Sequence, residues 1–350
     1  MLKKALILSL ATVFVLGPLA LASAAAPALW ILLVLQVGVW ALKGLLQVLI
    51  PVMVTEVAPA RDRATGQGWI GMAGSLGAGL TFIIVPAVAS LPGGWRWAWV
   101  LAAGGLLFLP FLRRALPESP HYERVSAETG GAVSARVLLE PRYRRRTLAG
   151  FAVALLHPMA IASTMSWYVY FPVQHLGLDP WIATLSVLVG GGVSLAGFPL
   201  GGMLSERWGR RPTFGVSSAL YALATWAYFQ VDASWSWPLA GLIPSLCAMT
   251  LLNATTATPL RASLTELFPT ALRATFSGAI ALAAGAGAVA GYFACSWLTE
   301  LLGGLPLAAT ALGLVMPLAG LVFVGLLPET RGLALEDEDA ALAEAQRRGP

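Results

Sequence analysis

The chain has 350 residues, of which 57% are hydrophobic and 11% charged, with 22 Lys and Arg against 17 Asp and Glu for a formal net charge of +5. Soluble domains carry about 25% charged residues, so this composition excludes an ordinary water-soluble protein and points to a surface that faces lipid. The basic residues are concentrated in short polar stretches between apolar runs, which marks membrane topology and does not indicate nucleic acid.

Ten apolar stretches recur at about 4–24, 28–54, 67–90, 97–113, 147–173, 181–204, 212–230, 237–258, 273–298 and 304–327. Crossing ~30 Å of hydrocarbon takes roughly 20 helical residues, and these stretches meet that need. They lack the period-two alternation of a barrel, so each predicts a helix that satisfies its own backbone. If the helices alternate in direction, every Lys and Arg of the 22 except Arg96 and Lys43 falls on one side, which is then the cytoplasm. The opening MLKKALILSLATVFVLGPLALASAAAPA resembles a cleavable secretory signal, but the internal repeat described below favours a retained helix.

The second stretch carries Gln36, Trp40, Lys43 and Gln47 on one helical face. Lys43 precedes Glu56 by thirteen residues, ~20 Å along a helix, too deep to reach the cytoplasmic interface easily. An ionisable group at that depth faces the interior and meets a substrate or coupling ion, or else a carboxylate on a neighbouring helix. In the stretch 147–173, His157, Thr164 and Tyr168 repeat the same stagger with Trp167 beside them. His157 either carries a coupling proton or sits buried and hydrogen-bonded. Asn253 and Thr256 share a face further on and offer hydrogen bonds to a ligand. Trp95, Trp97, Trp99, Trp235 and Trp237 read as an interfacial belt. Gly71, Gly74, Gly77 and Gly79, with Gly285, Gly287 and Gly291, permit close helix contact, which a rocking interface and static packing both require. Cys247 and Cys295 lie in apolar stretches without metal-ligand spacing and read as core residues.

A phrase repeats. TEVAPARDRATGQG at 55–68 and TELFPTALRATFSG at 265–278 share seven of fourteen letters at an offset of 210, and LPES at 116–119 is followed by LPET at 327–330. Two halves of similar plan follow, with four stretches in the first and six in the second; by the repeat, a helical hairpin upstream is missing. In each phrase Pro ends one helix and Arg opens the next, so Glu56 with Arg63 and Glu266 with Arg273 are expected to pair at the cytoplasmic edge. Glu206, Arg207, Arg210 and Arg211 join them as a cytoplasmic gate, the alternative being topology marking. Single exposed pairs are worth about 0–1 kcal/mol, enough as a set to bias two conformations.

GGMLSERWGRR at 201–211 resembles the loop signature of the major facilitator superfamily. PESP, PETRG and the doubled E-x-x-P-x-x-x-R are similar to its sugar-porter and metabolite:proton symporter branches. The resemblance implies an all-α membrane protein with two pseudo-symmetric helical bundles, ten of twelve helices present, and alternating access. It also implies a central cavity lined by the first, fourth, seventh and tenth family helices. The expected domains are a four-helix bundle over 1–113, a linker over 114–146, a six-helix bundle over 147–327 and a tail over 328–350. The linker is expected to form an amphipathic helix near Val133–Glu140. The expected function is secondary transport of a small polar metabolite, an organic or aromatic acid or a sugar, by proton symport in the cytoplasmic membrane. A non-transporting scaffold derived from such a transporter is the alternative. No cofactor, metal or nucleic-acid partner is expected, and the chain reads as a monomer. H-E-x-x-H, G-x-S-x-G and G-x-x-x-x-G-K-[ST] are absent from the sequence, which argues against an enzyme or a nucleotide-driven pump.

Overall fold

The computed structural model describes residues 2–108, 110 and 135–332. Among these residues the regular elements are all helical. The first group is α1 (Leu2–Ala25), α2 (Leu29–Val57), α3 (Arg63–Ala89) and α4 (Arg96–Ala103), the last continuing as a 3-10 turn over Gly104–Phe108. The second group opens with a 3-10 turn at Ala135–Leu139. It continues through α5 (Pro141–Met165), α6 (Tyr170–Gln174), α7 (Pro180–Trp208) and α8 (Arg210–Phe229). It closes with α9 (Pro238–Glu266), α10 (Thr270–Leu302), α11 (Leu305–Gly313) and α12 (Val315–Leu326). The expected tail beyond 332, and the linker over 114–134, lie outside the described residues.

Proline punctuates the starts. Pro141, Pro180 and Pro238 occupy the first helical position, where a missing N–H costs nothing and φ is already set. This is why the fifth stretch begins at Pro141, six residues before the expected 147, and why a short 3-10 turn takes most of the place of the amphipathic linker helix. Ahead of α7, Asp179 accepts the N–H of Trp181 at 2.7 Å and completes the cap.

Among the described residues, seven helical segments are long and apolar enough to cross a membrane. α8 is twenty residues long but too polar to meet that description. Its hydroxyls are nonetheless satisfied: Thr213, Ser217 and Ser218 are buried and donate to carbonyls one turn back, of Gly209 (2.8 Å), Thr213 (2.5 Å) and Phe214 (2.5 Å). Such a helix belongs inside a bundle, and α8 packs against α9 and α12. The outer surface is apolar instead: Val37, Leu282, Phe293 and Leu321 are each more than 70% exposed, as lipid contact requires. Trp95, Trp97, Trp235 and Trp237 are exposed together near the end opposite the basic residues.

Within the second group α5 packs on α10 and α12, and α7 and α8 pack on α9. Buried Phe214, Leu264, Phe268, Phe276 and Phe323 fill its cytoplasmic half, while Phe171, Tyr221, Tyr228, Leu246 and Met249 fill the other. The first group meets the second along two seams, α3 against α7 and α2 against α9 and α10. Lipid tails are as apolar as leucine, so apolar burial alone does little to hold such seams. Close backbone approach and polar contacts must hold them.

Candidate functional site

The repeated phrase assembles the cytoplasmic end of both seams. Thr55 and Thr265, its first letter in each copy, share a buried hydrogen bond of 2.8 Å between their hydroxyls. Equivalent residues 210 apart touch each other only where they lie beside the pseudo-twofold axis, so this bond marks the axis. Gln67 on α3 supports it, donating to the Pro51 carbonyl at 2.7 Å and to the Thr55 hydroxyl at 3.3 Å.

One ion pair forms across the halves and the others within the second half. Glu56 was expected to hold Arg63 and Glu266 to hold Arg273; instead Glu56 meets Arg273 at 3.4 Å and Glu266 meets Arg210 at 3.1 Å. The reason is geometric, because the axis places the end of α2 over the start of α10. Arg273 is fully buried and also donates to the carbonyls of Thr265 (2.7 Å) and Phe268 (3.3 Å), closing the carboxyl end of α9. Arg210, likewise fully buried, spans Glu206 at 2.9 Å and Glu266 at 3.1 Å. Glu206 in turn accepts the backbone N–H of Ala64 at 2.8 Å, so the end of α7 caps the start of α3 across the seam. Arg63 is buried with its charge acting on Glu266. Arg211 donates to the carbonyl of Val324, whereas Arg207 is exposed and stands outside this network.

Glu329 is a further member that the residue pattern alone did not single out. Its carboxylate accepts the N–H groups of Arg210 (2.8 Å) and Arg211 (3.0 Å) at the start of α8, and that of Arg331 (3.0 Å) two residues on in its own segment. The available signal was the LPES and LPET repeat. Gly209 makes the approach possible: its φ is 106°, and a Cβ there would lie 2.7 Å from the Glu329 carboxylate.

Glycines reveal where the seams close. At Gly68 a Cβ would lie 2.5 Å from the Phe198 carbonyl oxygen, and at Gly202 it would lie 2.7 Å from the Thr65 Cα, so α3 and α7 touch backbone to backbone at their cytoplasmic ends. Further along the same helices Gly74, Gly77, Gly79, Gly191 and Gly192 meet nothing within 4 Å. The α3–α7 seam therefore splays open away from the cytoplasm. Gly287 and Gly291 take a different part, lying against the Leu155 and Met159 carbonyls of α5 and packing α10 within one half.

The splayed region encloses a cavity of about 560 Å³ between α3, α7 and α9. Tyr168 and Asn253 line it, and the Asn253 side-chain oxygen is buried without a hydrogen-bond partner. A second cavity of about 190 Å³ lies between α2, α5, α9 and α10 and includes Gln47. The other expected cavity residues are placed elsewhere. Gln36 donates to the Ser23 hydroxyl at 3.3 Å, and the Lys43 ammonium stands 4.2 Å over the exposed Trp40 ring. His157 is buried, 3.2 Å from the Thr256 hydroxyl and tilted against the Phe214 ring at 5.9 Å. Thr164 is fully buried against the Tyr221 hydroxyl at 2.6 Å, and Trp167 packs on Tyr170. The polar face of α5 thus looks partly into its own bundle. Lys43 and Asn253 are equivalent under the repeat offset of 210, so the two halves present corresponding positions.

A model of the Major Facilitator Superfamily matches residues 2–292 and 181–348. A probable 4-methylmuconolactone transporter of Cupriavidus pinatubonensis strain JMP 134 is 28% identical over 311 residues, covering 85% of this chain and 68% of that protein. The inner membrane metabolite transport protein YhjE of Escherichia coli K12 is 30% identical over 305 residues, covering 81% of this chain and 66% of that protein. The chain thus spans about two thirds of the length of these relatives. Among solved structures, the proton:xylose symporter XylE superposes with a TM-score of 0.71 at 20% identity, over 97% of this chain and 87% of that one. The Escherichia coli fucose:proton symporter FucP gives 0.70 at 13% identity, over 92% and 83%. At such identities these two likenesses establish the fold. Apolar helices, repeated halves and the family match converge: the chain is a multi-pass membrane protein and belongs to the Major Facilitator Superfamily.

Proposed function

We propose that this chain moves a small polar metabolite across the cytoplasmic membrane by alternating access, driven by proton symport. One observation carries the reading. The same two helices, α3 and α7, are in backbone contact at the cytoplasmic end and apart around a 560 Å³ cavity at the other. Two halves joined at one end and open at the other form one of the two states that alternate exposure requires. Asn253, which lines the cavity and has a buried side-chain oxygen without a partner, is the residue we assign to substrate recognition there. Protons are assigned to His157, whose contact with Thr256 ties α5 to α9. The related proteins named for metabolites and sugars support a small organic solute. The domain division into a four-helix bundle, a linker, a six-helix bundle and a tail is part of the same proposal, as is a monomeric state.

The test is uptake into proteoliposomes carrying the full chain, with an acid-outside gradient and labelled carboxylates and sugars. Accumulation that collapses on adding a protonophore is the expected result. Absence of uptake for every solute, with and without the gradient, would refute it.

A further inference from the structure

The smaller cavity contains a group for which the network above gives no partner. Arg261 lines it from α9, five residues before Glu266 and so ~7.5 Å deeper than the buried ion pairs. Arg210 and Arg273 are each bridged to carboxylates, yet among the described residues no acid or other acceptor bonds the Arg261 guanidinium. A cation at this depth is costly unless something anionic or aqueous meets it. Ser277 lines the same cavity from α10, and its hydroxyl is buried without a hydrogen-bond partner. Gln47 adds an amide from α2, while Leu264 and Ile280 contribute to a largely apolar wall. Among the described residues no acidic side chain lines the space. Arg261 is itself exposed.

We infer that this cavity is a carboxylate-binding site, with Arg261 as its anionic anchor and Ser277 and Gln47 as flanking donors. A planar guanidinium matches a carboxylate through two parallel N–H bonds, and the orphan hydroxyl supplies a third donor. The 190 Å³ volume and apolar wall select a small acid with a compact hydrocarbon body. Thr265 lines the cavity while bonding Thr55, so the bound acid rests against the contact that joins the halves. This inference rests on the transport reading and narrows it from polar metabolites to organic acids.

The experiment uses the purified full chain in detergent and follows its thermal midpoint while titrating benzoate, acetate or succinate, with benzamide as the neutral counterpart of benzoate. At least one carboxylate is expected to raise the midpoint saturably, and benzamide is not. Arg261→Gln weakens that binding about tenfold or more, as loss of a charge-assisted bond requires, and Ser277→Ala weakens it severalfold. Arg261→Lys, which keeps the charge but not the fork, falls between. Should Arg261→Gln fail to fold, Ser277→Ala and Arg261→Lys carry the test. Wild-type affinity in these variants, equal binding of benzamide, or no response to any of the three acids overturns the site. Uptake separates the two readings: a protein that transports a solute but binds none of the acids disproves the site alone. One that binds acids through Arg261 but transports nothing disproves transport alone.

Discussion

The two ends of the α3–α7 seam are built from similar material and behave oppositely. Both are rich in glycine, yet Gly68 and Gly202 lie against the neighbouring backbone while Gly79 and Gly191 face open space. Small residues permit contact without enforcing it. Among the described residues, only the cytoplasmic end adds polar bonds across the halves: Glu206 to the Ala64 N–H, Thr55 to Thr265, and Glu56 to Arg273. Where apolar surface gives little preference, a few polar bonds decide which end is shut.

The sharpest way to break that contrast is Arg210→Gln. It leaves Glu206 and Glu266 without the buried guanidinium that joins them, and losing one partner of a buried pair costs about 3–5 kcal/mol. The expected outcome is a clearly lower thermal midpoint, with faster cytoplasmic-side labelling of a cysteine introduced near Ala64. An unchanged midpoint and labelling rate would mean the cluster does not hold the seam.

Next come matched substitutions at the two ends. Gly202→Leu forces a side chain into the Thr65 backbone and should destabilise this arrangement by about 1–3 kcal/mol or more. Gly79→Leu meets nothing here and should leave the midpoint nearly unchanged, while abolishing uptake if the outer end must close in turn. Equal effects of the two on the midpoint would erase the distinction between the ends.

The smallest expected effect is that of Thr55→Val, which removes one buried hydrogen bond for a net loss of about 1 kcal/mol. In a two-state equilibrium this shifts the population about fivefold toward the cytoplasm-open form, readable as distance change between spin labels on α2 and α10. A distance distribution identical to wild type would remove Thr55 from the gate.

The repeated phrase shows how far residue patterns reach. Its two copies adopt the same plan, one helix ending at Ala58 and another at Leu267 before the next begins, as proline and arginine placement indicates. Their surroundings differ. Leu267, Phe268 and Phe276 are buried in a core, whereas the corresponding Val57 is 53% exposed and Ala58 and Gly66 are small. That Glu56, Arg210, Glu206, Glu266 and Arg273 would form ion pairs at helix ends was legible, because such charges are conspicuous in an apolar chain. Their partners were not. On α5, periodicity put His157, Thr164 and Tyr168 on one face, but only Tyr168 reaches the cavity; the other two meet Thr256 and Tyr221. A shared face does not say which neighbour it meets.

Composition, apolar length and charge placement determined by themselves that the chain is helical, lies in lipid, turns its basic side one way and repeats an ancestral half. Those properties follow from each segment's own contact with its solvent, so they are written locally. Tertiary structure alone decided that Glu56 bonds Arg273, that Thr55 finds Thr265, and that Arg261 faces a cavity with no acid beside it. Each of these depends on an axis relating helices 210 residues apart, and no periodicity within a single helix carries the position of that axis.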